Sequence, residues 1–278
     1  MPDTTGPLLI VGGHEDKAGE AAVLRRLVAL AGGTRAVVGV VPTASADESR
    51  AVATYVDAFE RLGAARVEPL FVRSRWEAVA DWDRRAGAVT AVFFTGGDQL
   101  RITSTLGGTR FHAWLRARHR EGLVIAGTSA GASMMSDVMI VEGDAAHTPT
   151  LNTVRLAVGM GFWPGVVIDQ HFSQRGRIGR LLSALAQNPA VLGVGIDENT
   201  AVEVDFARRT FRVLGQACVT VLDGHGIRAT NASESRPGQP LALTDVVLHV
   251  LPAPWEYSWA NRTPREPEAA PGTKEGEA

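Results

Sequence analysis

The residue of this sequence most suited to chemistry is Ser129, within the segment "LVIAGTSAGASMM". An apolar run stops there in small residues and continues into residues that suit a helix, so the chain must turn sharply at the serine. The flanking Gly127 and Gly131 permit unusual backbone angles and let another part of the chain approach the hydroxyl. The G-x-S-x-G pattern therefore predicts a nucleophile elbow. The alternative is an ordinary polar turn in which Ser129 caps the helix.

A serine attacks a carbonyl only when a base takes its proton, and the chain offers seven histidines as bases. His171 closes the segment "GVVIDQH", at the carboxyl end of a predicted buried strand. This position favours His171 over His14 and His147 as the general base.

The developing oxyanion needs hydrogen-bond donors, and the segment "FFTGGDQL" places two glycines at the end of another predicted strand. We expect the amide of Gly97 to face the substrate carbonyl, with the amide of Ala130 as the second donor. The alternative is a purely structural turn in which Asp98 caps the following helix. Both roles are compatible, because one turn can expose amides and start a helix.

The elements that must position these residues alternate apolar runs with amphipathic helices. Continuous Val, Ile, Leu and Phe runs indicate strands covered on both faces, hence a parallel sheet. Such strands are predicted at 7–13, 35–44, 66–72, 88–97 and 122–131. After residue 189 the pattern changes to short strands joined by turns. The predicted fold is α/β, a three-layer sandwich with a mostly parallel central sheet and antiparallel strands added to it near the C-terminus.

The polar residues of the chain cluster where these strands end. They fall at 12–16, 43–45, 95–99, 128–133 and 169–177. Ligands of open parallel sheets collect beyond the carboxyl ends of the strands. This coincidence favours a chemical role for Ser129.

The composition of the 278 residues, 45% hydrophobic and 21% charged, is that of one globular domain, which we place at 1–260. The Pro/Glu/Gly-rich stretch 261–278 predicts a disordered tail. A net charge of −2 gives no basic field for nucleic acid. With no apolar run of about 18 residues and no signal-peptide pattern, we expect a cytoplasmic protein without a membrane partner.

A metal site is not expected from the segment "GGHEDK", although it holds a histidine and two acidic residues. Neighbouring residues on one loop do not converge on a single ion, and the H-E-x-x-H spacing is missing. We expect this segment to be structural, at the rim of the sheet.

Seven segments together resemble those of cyanophycinases, in the expected order over most of residues 8–222. They are "GGHEDK", "PTAS", "TGGDQLR", "GTSAGAS", "MIVEG", "DQHFSQRGRIGRLL" and "GIDENTA". Cyanophycinases are serine hydrolases that cut a storage polymer with a poly-aspartate backbone and arginine on each side-chain carboxyl. They are related to dipeptidase E and share an overall plan with class I glutamine amidotransferase-like proteins. The resemblance implies exopeptidase release of β-aspartyl-arginine dipeptides through an acyl-enzyme, without a cofactor, by a homodimer.

Position by position, the resemblance makes Ser129 the nucleophile and His171 the base. A polymer of aspartate and arginine calls for carboxylate acceptors and arginine donors in one site. The residues that match the substrate pocket of the family are Gln99, Asp169, Gln170, Arg177, Arg180 and Glu198. Only Lys17 and Lys274 of the 28 basic residues are lysines, so arginine is the ordinary cation of this chain. Arg177 and Arg180 taken alone therefore suit a solvated helix face equally well.

The carboxylate that orients His171 stays open at this stage. Dipeptidase E has an aspartate shortly after its nucleophile, and cyanophycinases have a glutamate in the comparable segment, whose place here falls on His147. We predict Asp144, because its distance from Ser129 resembles the dipeptidase pattern. Glu142 and Glu198 are the alternatives, and His147 is a possible replacement base.

Cyanophycin hydrolysis is the function that these observations favour, with cyanophycin or another β-aspartyl peptide as the partner. An aspartyl dipeptidase would use the same catalytic residues on another substrate. A non-catalytic ligand-binding protein on the same fold is the third hypothesis. The three differ in substrate turnover and in the reactivity of Ser129.

Overall fold

The computed structural model describes residues 5–143 and 148–267. The strands within these ranges are β1 Leu8–Val11, β2 Val37–Val41, β3 Arg66–Pro69, β4 Ala91–Phe94, β5 Val124–Thr128, β6 Val138–Gly143, β7 Val154–Val158, β8 Val166–Gln170, β9 Leu192–Ile196, β10 Thr200–Asp205, β11 Thr210–Gly215, β12 Cys218–Asp223, β13 Val247–Pro252, β14 Glu256–Ser258 and β15 Thr263–Arg265. The α-helices are α1 Ala22–Leu30, α2 Glu48–Arg61, α3 Trp82–Ala86, α4 Gln99–Leu106, α5 Arg110–Arg120, α6 Ala130–Ser133 and α7 Ile178–Gln187.

The central sheet has nine strands in the order β15-β14-β11-β10-β1-β5-β4-β2-β3. The five strands from β1 to β3 in that order run parallel, as their unbroken apolar sequences predict. On its other side β1 pairs antiparallel with β10, and antiparallel strands continue from there to the edge. The predicted α/β class, with antiparallel strands added near the C-terminus, is confirmed.

Both faces of the central sheet are buried, which the alternation along β1 shows most clearly. Leu9 and Val11 pack in a cluster with α1 and α2. Leu8 and Ile10 belong to a second cluster on the opposite face, with α4, α5 and the strands of a second sheet. All four side chains are fully buried, and each buried aliphatic side chain contributes roughly 1.5–3 kcal/mol to stability.

The second sheet has four strands in the order β13-β12-β9-β8. The expectation that all late strands extend the central sheet is therefore wrong for β9, β12 and β13. The segment "GVGIDENTAVEVDF" is divided at its turn, so that β9 pairs with β8 and β10 pairs with β1. A run of alternating apolar residues predicts a strand but does not say which sheet the strand joins. Glu198 lies in the turn between the two sheets.

The ordered chain continues past residue 261, where the tail was predicted to begin. Strand β15 pairs antiparallel with β14 at the edge of the central sheet. Pro264 suits this place because an edge strand does not need every backbone N–H. Residues 268–278 of the predicted tail lie outside the described residues.

A membrane-spanning helix is not present among residues 5–143 and 148–267, where every helix is too short or too polar to cross a bilayer.

Candidate active site

Ser129 occupies a strained turn between β5 and α6. Its φ of 52° and ψ of −108° lie outside the regions that non-glycine residues ordinarily adopt, at a cost of about 1–3 kcal/mol. The Ser129 N–H donates to the Val11 carbonyl at 3.0 Å, and its own carbonyl accepts from Ser133 N–H at 2.9 Å. The hydroxyl does not cap α6. The turn therefore has the geometry of a nucleophile elbow.

The glycines on either side of this turn are required by close backbone contacts. A Cβ on Gly127 would lie 2.5 Å from the carbonyl oxygen of Gly131. A Cβ on Gly131 would overlap the carbonyl of Phe94, at the end of β4. The small residues of the motif thus let β5, α6 and β4 come together under the serine.

The Ser129 hydroxyl begins a chain of two hydrogen bonds. Its Oγ lies 2.9 Å from Nε2 of His171, and Nδ1 of His171 lies 2.6 Å from Oε1 of Glu198. The three residues come from the end of β5, the end of β8 and the turn between β9 and β10. A carboxylate facing Nδ1 keeps the ring proton there and leaves Nε2 as an acceptor for the serine proton.

The protonation states suit this arrangement. Burial lowers the pKa of His171 below its usual value of 6.5, and the hydrogen bond to Glu198 opposes that shift. The pKa of Glu198 is also lowered, mainly because its carboxylate accepts this hydrogen bond. At neutral pH the site therefore combines a neutral imidazole with an ionised carboxylate, as a general base requires.

The loop after β1 holds His171 in place. The His171 N–H donates to the Gly12 carbonyl at 2.8 Å, and the backbone of His171 has a φ of 48°. Gly13 has a φ of 105°, and a Cβ there would overlap the His171 ring. The Gly13 carbonyl also accepts from Asn199 N–H at 2.8 Å, next to Glu198. Gly12 and Gly13 thus hold both His171 and the turn that carries Glu198.

The predicted oxyanion donors lie beside the serine. A Cβ on Gly96 would be 3.5 Å from Cβ of Ser129, which places the "TGGD" turn against the elbow. Among the described residues, no backbone hydrogen bond uses the amide of Gly97 or Ala130. Asp98 caps α4 by accepting from Leu100 N–H at 2.8 Å. The turn can therefore start a helix and still offer an amide to a ligand.

The serine opens into a cavity of about 700 Å³. The cavity is lined by His14, Glu15, Lys17, Tyr55, Gly96, Gly97, Thr128, Ser129, His171 and Arg175. Sequence reasoning missed Lys17, Tyr55 and Arg175 as lining residues. Lys17 carried a signal, since it is one of two lysines in an arginine-rich chain. Arg175 carried no such signal, because arginine is the ordinary cation of this chain.

A buried carboxylate lies under the cation Lys17. The Glu15 carboxylate accepts from Tyr55 Oη and from Thr128 Oγ1, each at 2.5 Å, and pairs with Lys17 Nζ at 2.9 Å. Burial first, and then the Glu15 charge, raises the pKa of Tyr55 well above its ordinary value. The phenol therefore stays a donor to Glu15. Three donors satisfy this carboxylate, as a buried charge requires.

Four predicted substrate residues instead form a buried cluster at the end of β8, made of Asp169, Gln170, Arg177 and Arg180. Asp169 is fully buried and accepts from Arg180 Nε at 2.6 Å, from Arg180 Nη2, and from Arg177 Nη1 at 3.2 Å. Arg177 Nη1 also donates to the carbonyl and side-chain oxygens of Gln170. Burial lowers the pKa of Arg177 to about 10. The structure corrects the expectation that these residues lie on the cavity wall, since they hydrogen-bond to one another inside the protein and leave the buried Nε of Arg177 without a partner.

The remaining predicted binding residues also have partners within the protein. Gln99 donates through Nε2 to the Ile140 carbonyl at 2.9 Å, which ties α4 to β6. Glu198, expected to contact substrate, faces His171 instead.

Glu198 occupies the place for which Asp144 was predicted, beside Nδ1 of His171, and this corrects the choice of the orienting carboxylate. Asp144 and His147 lie outside the described residues. Glu142 is exposed and lies 3.4 Å from Arg155, so it belongs to the β6–β7 hairpin. Glu198 was only an alternative in the sequence analysis, because it is remote in sequence from both Ser129 and His171.

A serine on a strained elbow, a histidine and a carboxylate at the edge of an α/β sheet together define a serine-type hydrolase. Residues 8–209 match peptidase family S51. The chain belongs to this family and is a serine-type peptidase.

Relatives with curated names are similar to most of the chain. It is 39% identical to a cyanophycinase of Trichormus variabilis over 251 residues, which are 89% of this chain and 84% of the relative. It is also 39% identical to a cyanophycinase of Geminocystis herdmanii over 246 residues, 88% of this chain and 90% of that protein.

Among solved structures, a peptidase from an acI-B1 Actinobacterium has a TM-score of 0.61 at 21% identity, covering 87% of this chain and 96% of its own. At this identity the likeness shows a shared fold.

Proposed function

We propose that this protein is a serine exopeptidase that hydrolyses cyanophycin to β-aspartyl-arginine dipeptides. The observation that carries the proposal is the hydrogen-bonded chain from Ser129 through His171 to Glu198, at the floor of a cavity with cationic side chains. The relatives named cyanophycinases support the choice of substrate. We extend the proposal to a homodimer in the cytoplasm, in which the domain expected at 1–260 acts as one unit that also includes β15.

Acylation starts when Nε2 of His171 takes the proton of Ser129 Oγ, 2.9 Å away, as the oxygen attacks a backbone carbonyl of the polymer. The amides of Gly97 and Ala130 receive the negative charge on the carbonyl oxygen. Glu198 stabilises the imidazolium that forms. His171 then gives its proton to the leaving amine, the C–N bond breaks, and the acyl group remains on Ser129.

Deacylation repeats the same proton transfers with water. His171 takes a proton from the water molecule, whose oxygen attacks the acyl carbonyl, and returns that proton to Ser129 Oγ as the ester bond breaks. The products are a free carboxylate and a regenerated serine. This cycle uses only groups of the protein and water.

Substrate recognition uses the cations on the cavity wall. Each unit of cyanophycin carries one free carboxylate, on its arginine, and one guanidinium. Lys17 and Arg175 line the cavity and suit such carboxylates. Glu15 is already satisfied by three donors, so it holds Lys17 instead of competing for the guanidinium. The buried cluster around Asp169 supports the end of β8 that carries His171.

The experiment is a side-by-side assay of purified protein on a cyanophycin suspension, on β-aspartyl-arginine and on α-aspartyl dipeptides. We expect the suspension to clear, with β-aspartyl-arginine as the product detected by mass spectrometry. Turnover of the α-aspartyl dipeptides alone would replace this proposal with an aspartyl dipeptidase.

A second measurement separates catalysis from ligand binding. A fluorophosphonate should label the protein, and the label should map to Ser129 in the digested peptide. Folded protein that resists labelling and turns over no substrate would indicate a non-catalytic ligand-binding protein.

A further inference from the structure

We propose that His14, His171 and Glu198 form an inhibitory site for a divalent transition-metal ion such as Zn²⁺. The inhibitory effect rests on the proposed role of His171 as general base, whereas the binding of the metal does not. The proposed reaction cycle uses only protein groups and water, so the ion is an inhibitor and not part of that cycle.

The three side chains converge, although they come from three separate parts of the chain. Their ligand atoms all lie within 4.8 Å of one another. The two oxygens of Glu198 face different histidines, with Oε1 at 2.6 Å from Nδ1 of His171 and Oε2 at 3.6 Å from Nδ1 of His14. The two rings are nearly perpendicular, with centroids 5.2 Å apart. One ion placed between them meets a nitrogen of each ring and the carboxylate.

The spacing suits a tetrahedral ion after a small movement. Metal–ligand bonds of about 2.0–2.2 Å require ligand atoms about 3.2–3.6 Å apart. The His14–Glu198 separation is already in this range. Nδ1 of His171 and Oε1 of Glu198 are 2.6 Å apart and must separate by about 0.6–1 Å to share an ion. The side chain of His14 is 70% exposed, so its ring is free to approach them.

The donor set selects the kind of ion. Two imidazoles and one carboxylate are typical ligands of Zn²⁺ and of the neighbouring ions Co²⁺, Ni²⁺ and Cu²⁺. Ca²⁺ and Mg²⁺ prefer sites made of oxygen. Three protein ligands leave the fourth position of Zn²⁺ to water.

His14 is the residue that the serine mechanism leaves unused. Its backbone has a φ of 48°, a left-handed conformation that is uncommon for a non-glycine residue and that sets its ring beside Glu198. The expectation that "GGHEDK" binds no ion considered only ligands within that loop. His14 finds its partners instead at the end of β8 and in the β9–β10 turn.

Metal binding to Nδ1, the ring nitrogen that faces Glu198, changes the tautomer of His171. A neutral imidazole carries one proton, and in the free protein the Glu198 carboxylate holds it on Nδ1. A bond from Nδ1 to the metal uses the lone pair of that nitrogen, so the proton moves to Nε2. Nε2 then donates and no longer accepts the proton of Ser129. The ion therefore inhibits without contacting Ser129, and the His171 ring keeps one proton throughout.

The test begins with binding to the full chain after treatment with a chelator. Calorimetric titration with Zn²⁺ should show one ion per chain, and Co²⁺ should give the visible absorption of a tetrahedral complex. In ¹⁵N spectra of labelled protein, Zn²⁺ should move the His171 proton signature from Nδ1 to Nε2. Hydrolysis should fall in proportion to occupancy and return when a chelator is added.

The decisive variant is His14→Ala, which should bind Zn²⁺ at least about 10–100-fold more weakly and remain active at Zn²⁺ concentrations that inhibit the parent protein. His225→Ala is the matched control, since His225 is exposed and does not line the cavity. The control should bind Zn²⁺ as the parent protein does. Unchanged affinity in His14→Ala, or no binding by the parent protein, would overturn the metal site.

Failure of the metal site and failure of the proposed function give different results. Ser129→Ala should still bind Co²⁺ with the parent spectrum, whatever the protein hydrolyses. A protein that binds Zn²⁺ through His14 but leaves cyanophycin intact would keep the site and refute the substrate. A protein that cleaves cyanophycin but does not bind Zn²⁺ would support the proposed function and refute the metal site.

Discussion

Two groups of polar side chains meet at the end of β8 and differ in burial, in hydrogen bonding and in backbone conformation. Asp169, with Arg177 and Arg180, is fully buried and accepts three hydrogen bonds from them. His171, two residues further along, faces a cavity and keeps one ring nitrogen as an acceptor for Ser129. Both oxygens of the Asp169 carboxylate are engaged and stabilise the fold, whereas the free acceptor nitrogen of His171 can take a proton.

Backbone strain follows the same division. Ser129 and His171 both have positive φ values, and Gly13 next to the ring does as well. Asp169 lies within the regular strand β8. The positive φ values of Ser129 and His171 cost about 1–3 kcal/mol each, whereas Asp169 carries no such strain. The predictions below test whether the two groups are separable.

The largest effect is expected from Ser129→Ala. Loss of the nucleophile should lower kcat by about 10⁴–10⁶-fold, since only the oxyanion donors and substrate binding remain. The thermal midpoint should stay near that of the parent protein. Ser104→Ala, at an exposed position on α4, is the control for both measurements. Full activity in Ser129→Ala would end its role as the nucleophile.

Glu198→Gln should lower kcat by about 10³–10⁴-fold, because an amide no longer fixes the tautomer of His171 or stabilises its charged form. Asp144→Asn, measured under the same conditions, should change kcat by less than about tenfold on the same reasoning. The opposite order of the two variants would restore Asp144 as the orienting carboxylate.

Arg180→Met should act on stability. It leaves the buried Asp169 carboxylate without its bidentate partner, so the free energy of unfolding should fall by about 3–5 kcal/mol. Arg155→Met, which breaks the exposed pair with Glu142, should cost about 0–1 kcal/mol. Denaturant unfolding measures both. A destabilisation of Arg180→Met no larger than that of Arg155→Met would contradict the assignment of Arg180 to the fold.

Gly13→Ala should lower the rate only by displacing the His171 ring. The added methyl overlaps the His171 ring, and displacing a catalytic group by about 1 Å can cost roughly 10²-fold in rate. Gly33→Ala is matched for positive φ, at 62°, but its Cβ would meet nothing within 4 Å. We expect kcat to fall by about 10–100-fold in Gly13→Ala and to change little in Gly33→Ala.

The smallest expected effect is a shift of the acid limb of kcat/KM. The reaction needs neutral His171, so kcat/KM should rise with pH through a pKa below the ordinary 6.5. The hydrogen bond and charge of Glu198 raise the pKa of His171, so Glu198→Gln should move the residual limb to lower pH. A limb above 6.5 in the parent protein, or an upward shift in the variant, would contradict this assignment.

The sequence predicted the fold well where the signal was local. The apolar runs of β1, β2, β4 and β5 predicted the parallel core. The polar residues at the strand ends predicted that Ser129 and His171 lie close together. Pairing between distant segments was harder to predict. Glu198 reaches His171 only because the chain changes sheets in one short turn, which alternating apolar residues do not reveal.

The buried cluster shows a second limit of prediction from sequence. Asp169, Arg177 and Arg180 have the residue types of a binding pocket, and nothing in their spacing distinguishes a cavity wall from the interior. The outcome depends on whether three donors converge on one carboxylate, which only the folded chain decides. Lys17 is the reverse case, because it is one of two lysines in an arginine-rich chain and the prediction of the cavity did not use that signal.

Strand β1 has a mechanical consequence for the reaction. The carbonyls of two consecutive residues at its end, Val11 and Gly12, accept from the amides of Ser129 and His171 at 3.0 and 2.8 Å. Ser129 and His171 are thus hydrogen-bonded to neighbouring peptide units of one segment, although β5 and β8, which carry them, belong to different sheets. We therefore expect the distance between Ser129 Oγ and His171 Nε2 to depend on this one segment more than on how the two sheets pack.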